Sequence, residues 1–168
     1  SVCGTLQTGD EVVVNTTAVD LELGTGGHHV VHWISNRRSQ REQRPGEILK
    51  ARYLSEQIEV DPYVAVRQDL SGARVLLCAL HSQLGAAAIG ANSDTLGYVM
   101  TDQAALPLAL SDLLADLKKA NILGLTATAG QAFGGDLEVI NVPSGVAALL
   151  EHNCSEIIVA AGPGHVGT

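Results

Sequence analysis

From residue 73 onward, apolar stretches and mixed stretches alternate in a regular way. Residues 73–80, 95–101, 122–129 and 156–161 are near-continuous apolar runs of strand length. Runs of this kind fit strands covered on both faces in a parallel sheet. The segments between them read as helices. Residues 84–91 form a short, Ala-rich one. In 107–120, Leu110, Leu113, Leu114 and Leu117 share one face at helical spacing. Pro107 suits the first turn of that helix, and Lys118 and Lys119 suit its negative end. Residues 143–152 are the third helix, again with Pro near the start. Strand–helix alternation repeated three times predicts a parallel sheet with right-handed crossovers.

The first third of the chain has no helical period. Gly9-Asp10 is a turn signal before the β-branched run Val12-Val13-Val14. Gly24-Thr25-Gly26-Gly27 is a second turn, before the apolar run 30–34. These features predict a small, barrel-like β module. Arg37, Arg38, Arg41 and Arg44 crowd a polar stretch that reads as an exposed loop, or as a basic arm for anionic partners. A short strand is expected around 48–53 and a turn at 69–72. The expected fold is therefore α/β: a β module over 1–60, then a Rossmann-like or flavodoxin-like domain over 61–168. Both ends read as open, as in a fragment of a longer protein.

Composition narrows the classes. The chain has 168 residues, of which 46% are hydrophobic and 3% aromatic, so its core must be aliphatic. No apolar run approaches the ~20 residues that span a bilayer. A net charge of −8 argues against general nucleic-acid binding, which relies on cations facing phosphates. Cys3, Cys78 and Cys154 are an odd number at wide spacing, giving neither a disulfide framework nor a paired metal motif. A reducing cytoplasm fits this pattern. With few charges on aliphatic sheets, a homodimer is expected.

Ligands of open α/β sheets bind beyond the carboxyl ends of the strands. The first expected strand ends at His81-Ser82 and the second at Thr101-Asp102. The third ends in 130–138, which includes Gln131, Gly134, Gly135, Asp136 and Glu138. The fourth ends in 162–168, which includes Gly162, Gly164, His165 and Gly167. The opposite strand ends are ordinary polar turns. Gly162-x-Gly164-x-x-Gly167 after an apolar strand has the form of a dinucleotide fingerprint, although it follows the fourth strand rather than the first. A Gly turn facing another anion, or a plain structural turn, fits it as well. Asp102, Asp136 and Glu138 are expected to hold Mg²⁺ or act as acid and base; the alternative is loop and cap carboxylates. His81 and His165 are candidates for proton transfer. Ser82 follows a strand as a nucleophile does, but it lacks the flanking glycines of an elbow and also suits a helix N-cap. His28, His29 and His32 read as surface residues, because on a strand His28 and His32 share a face but lie ~13 Å apart and cannot share one ion.

Several segments together resemble the bacterial family of domain of unknown function 3866. They are Gly9-Asp10, Asn15-Thr16-Thr17-Ala18, Gly24 to Gly27, Lys50-x-Arg52-Tyr53 and Leu80-His81-Ser82. Residues 98–102, 105–107, 130–138 and 162–168 complete the set. The resemblance runs from about Gly9 to Thr168. Leu54-Ser55, His28 and Gln103 depart from what members tend to carry. The resemblance implies that the strand-end loops are the family's signature segments and that members continue beyond the last Gly turn. It implies no activity. The functional expectation is a small-molecule site for a phosphorylated or nucleotide-like ligand, with Mg²⁺ or a nucleotide as cofactor. A non-catalytic scaffold and a Ser82-dependent hydrolase are the alternatives.

Overall fold

The computed structural model describes residues 4–23, 27–37, 45–67, 69–91 and 93–165. Strands β1 (Val12–Asn15) and β2 (Val30–Ile34) pair antiparallel, with the four-residue helix α1 (Thr17–Asp20) between them. Strands β3 (Ile48–Lys50) and β4 (Ile58–Val60) form a second antiparallel pair. Both small sheets fall where the β module was expected. Arg37 of the basic stretch pairs with Asp10 at 2.6 Å. Residues 24–26, 38–44 and 166–168, including Gly167, lie outside the described residues.

The rest of the chain builds a five-stranded parallel sheet. Its elements are β5 (Arg74–Cys78), α2 (Gln83–Ala91), β6 (Leu96–Thr101), α3 (Asp112–Lys119), β7 (Thr126–Thr128), β8 (Leu137–Glu138), α4 (Val142–Glu151) and β9 (Glu156–Ala161). The strand order is β5-β9-β6-β7-β8, and every pairing is parallel. That order is neither 3-2-1-4-5-6 nor 2-1-3-4-5, the orders of the Rossmann and flavodoxin-like sheets, because β9 inserts between β5 and β6. Helices α2 and α3 cover one face, where Leu84, Ala88, Leu114 and Leu117 pack on Tyr98, Met100 and Ile158. Helix α4 covers the other, where Val146, Ala148 and Leu149 pack on Val99, Ile157 and Val159. The chain thus crosses the sheet one way over one face and returns over the other, as a constant crossover hand requires. Among the described residues no helix is long and apolar enough to cross a membrane.

Three expectations need correction. The long helix starts at Asp112, not at Pro107. Pro107 is extended and bridges Phe133, and the Ser111 hydroxyl oxygen caps α3 by accepting the Leu114 N–H at 3.0 Å. Residues 137–138 form a fifth parallel strand, because the Gly-rich loop before them returns the chain to the amino end of β7. The run 73–80 is an edge strand rather than a covered one, and Leu77 is 74% exposed.

The loops leaving β6 and β9 approach each other closely. Ala105 N–H donates to the Pro163 carbonyl at 3.0 Å. A Cβ on Gly162 would stand 2.4 Å from the Ala105 carbonyl oxygen, so only glycine fits there. Gly162→Ala should cost about 1–3 kcal/mol by overpacking, measured by urea denaturation. Unchanged stability would mean that these loops separate freely.

Candidate functional site

Lys50 ends strand β3 with its side chain fully buried. Its ammonium donates to the Thr128 carbonyl at 2.6 Å, the Ala132 carbonyl at 2.9 Å and the Glu138 Oε2 at 2.8 Å. All three ammonium hydrogens are therefore used. Glu138 Oε2 also accepts the Thr128 hydroxyl at 2.7 Å, and Oε1 accepts the Gly134 N–H at 2.7 Å. Burial pulls the Lys50 pKa below its ordinary value, while Glu138 and, more weakly, Asp102 pull it upward. Tyr63 N–H adds a main-chain bond to the Glu138 carbonyl at 2.7 Å and so covers the outer side of β8. These bonds fasten the β3–β4 hairpin to the carboxyl ends of β7 and β8.

The turn after Lys50 lies over this edge. Ala51 (φ +50°) and Tyr53 (φ +67°) are both left-handed, a backbone region that disfavours side chains. Between them, Arg52 N–H donates to Gln131 Oε1 at 3.1 Å. Gln131 N–H in turn donates to Asp102 Oδ2 at 3.0 Å. Position 130 must be glycine: its φ is +63°, and a Cβ there would lie 2.2 Å from Asp102 Oδ2. The Arg52 side chain is exposed and has no partner among the described residues. Tyr53 is 95% exposed. The location follows from topology. The chain leaves β6 toward α3 on one face and β8 toward α4 on the other, so the connections diverge on either side of β7, the kind of point at which open α/β sheets bind ligands.

His81 lies in a separate buried network at the carboxyl ends of β5 and β9. Its Nδ1–H donates to the Ala161 carbonyl at 3.1 Å, which leaves Nε2 to accept the Ser111 hydroxyl at 2.6 Å. Tyr98 O–H donates to the same Ala161 carbonyl at 3.1 Å. Burial pulls the His81 pKa down, against a smaller upward pull from the Ala161 bond. Burial also pushes the Tyr98 phenol well up.

The chain belongs to the DUF3866 family. The model of this family, described as a protein of unknown function, matches residues 1–168. No curated protein and no solved structure matches the chain.

The DUF3866 chain brings some of the expected site residues together and separates others. Asp102, Gln131 and Glu138 lie at the carboxyl edge near β7. Asp136 does not. The register pairs Ala127 with Leu137, so Asp136 stands level with Thr126 at the amino end. There it accepts the Thr126 N–H and O–H, each at 2.8 Å, and the Lys118 ammonium at 2.5 Å. Burial pushes its carboxyl up, but these bonds outweigh that and hold it below the ordinary range. Asp102, Asp136 and Glu138 therefore cannot share a cation. Among the described residues no three His, Cys, Asp or Glu side chains group as a metal site requires. The described residues do not fit Mg²⁺.

The Gly134 and Gly135 amides do not face a ligand either. They donate to Glu138 Oε1 and, at 3.2 Å, to Thr128 Oγ1. Gly164 and His165 are exposed, and the His165 Nδ1–H bonds to the Gln103 carbonyl. Ser82 is exposed and outside the His81 network, whose serine is Ser111. His32 pairs with Glu56 at 2.7 Å and bonds Ser55 at 2.9 Å. Arg52 was not among the expected site residues, although the Lys50-x-Arg52-Tyr53 segment had stood out in the family resemblance.

Two outcomes follow from this geometry. Lys50→Met strands Glu138 and two carbonyls, and should cost about 3–5 kcal/mol; Lys50→Met with Glu138→Gln should recover part of that in a denaturation cycle. A second test uses pH. The His81 pKa is lower folded than unfolded, so its contribution is complete above the unfolded value of about 6.5 and is lost as pH falls toward the folded value. The Tm should drop on acidification from pH 7 to 5, and His81→Gln should flatten that slope. An unchanged slope in the variant would remove His81 as the cause.

Proposed function

We propose that this protein binds a phosphorylated or nucleotide-like small molecule at the carboxyl edge of its parallel sheet, over the end of β7. The observation that carries this reading is the Arg52–Tyr53 turn. Lys50 pins its base, two left-handed residues shape it, and it presents a guanidinium with no partner among the described residues next in sequence to an exposed aromatic residue. A guanidinium fork suits phosphate oxygens. A Tyr ring suits stacking against a base. The Gln131 amide nitrogen and the second Asp102 oxygen suit hydroxyl groups on the same ligand. The Gly164–His165 turn would approach from the β9 side. In this proposal residues 1–60 deliver the turn and residues 61–168 supply the edge. Nothing in the reading depends on a Rossmann-type sheet.

Titration calorimetry with ATP, NAD, a sugar phosphate and inorganic phosphate tests it. At least one phosphorylated compound should bind. Arg52→Ala should weaken that binding about tenfold or more, as loss of a charged hydrogen-bond donor does. Tyr53→Ala should weaken the nucleotides and spare inorganic phosphate. No binding by any of the four, or unchanged affinity in Arg52→Ala, would overturn the proposal.

A further inference from the structure

The two edges of the parallel sheet are treated differently. The β8 edge is covered by the segment bearing Tyr63. Among the described residues, nothing pairs with the free side of β5. Val75, Leu76 and Leu77 on that strand are 43%, 51% and 74% exposed. Leu80, which follows it, and Ile89 on α2 are 41% and 65% exposed. Exposed edges in soluble proteins usually carry Lys, Pro, a bulge or an inward charge. This one carries only Arg74, which is already paired with Glu156 at 2.8 Å.

We infer that β5 pairs with β5 of a second copy, antiparallel across a two-fold axis at Leu76, to make one continuous ten-stranded sheet. The hydrogen-bonding parity supports this register. Arg74 N–H donates to the Ser155 carbonyl at 2.9 Å, so residues 74, 76 and 78 direct their peptide groups at β9. Residues 75 and 77 therefore direct theirs outward. With the axis at Leu76, Val75 of each copy exchanges both main-chain bonds with Leu77 of the other. The two Leu76 residues form the close pair without hydrogen bonds, about 4.5 Å between Cα atoms. The side chains match on both faces: Val75 meets Leu77 on the α4 side, and Leu76 meets Leu76 on the α2 side. Arg74 falls opposite Cys78, so no like charges meet directly.

The area is adequate for such a pair. The five side chains, distributed over both faces of this edge, together expose on the order of 500 Å² of mostly apolar surface. A standard interface needs about 800 Å² from each partner, and the strand backbone and the outer side of α2 supply the remainder. The two faces at this edge need covering together, which another α/β layer does and a single added peptide strand does not.

Sedimentation velocity on the chain, with Leu77→Lys and Leu76→Cys/Cys78→Ser variants, tests the inference. The chain should sediment as a dimer at micromolar concentration. Leu77→Lys should be monomeric with an unchanged circular dichroism spectrum. Leu76→Cys/Cys78→Ser should oxidise to a covalent dimer, because the axis brings the two thiols together. A monomer at 100-fold higher concentration would overturn the inference, and so would a dimer that survives Leu77→Lys. A monomer whose Val75 and Leu77 amides resist hydrogen exchange would also overturn it, and would assign the edge to another occupant.

Discussion

The Lys50 ammonium sits where two parts of the molecule with different architectures meet. One part is an antiparallel hairpin of six paired residues, too small to be stable alone. The other is the carboxyl rim of a parallel sheet, where Thr128, Ala132 and Glu138 present acceptors inward. A buried cation is costly unless every hydrogen is used, and here every one is. The same three acceptors fix the end of β7, the loop after it and the side chain of β8. Through them the hairpin turn, the Gly134 amide and the line from Arg52 through Gln131 to Asp102 keep their positions. An apolar residue of similar size at position 50 would leave those acceptors unpaired and so lower stability.

Close backbone approach is the second constraint. At Gly130 a carboxylate occupies the space a side chain would need, and at Gly162 a carbonyl does. These contacts bring the loops after β6, β7 and β9 into one layer over the sheet. At these two positions glycine therefore serves packing among the loops.

The chain's periodic segments revealed its architecture, and its tertiary contacts did not. Helix α4 was legible from its apolar face and its proline, and its Asn141–Ser144 capping box agrees with that start. Strands β6 and β9 were legible as long apolar runs. Strand β8 was not, because two paired residues leave no pattern. Asp136 was assigned to the wrong edge because loop composition does not reveal that the chain doubles back. Lys50 gave no local sign of burial, since its acceptors lie far along the chain. Ser82 drew attention by adjacency to His81, but the partner of His81 is Ser111, brought there by the cap of α3.

Strand β9, the last of the described strands in sequence, stands between the first two of the sheet. Among the described residues β5 has no neighbour but β9, and β6 has β9 along its whole length. During synthesis the first strand of the sheet must therefore wait, unpaired and apolar, until the rest of the sheet has emerged. Contacts so distant in sequence fold slowly and leave sticky intermediates. The insertion of β9 thus makes the joining of β5 to the sheet a late event, whereas β6, β7 and β8 pair with one another without it.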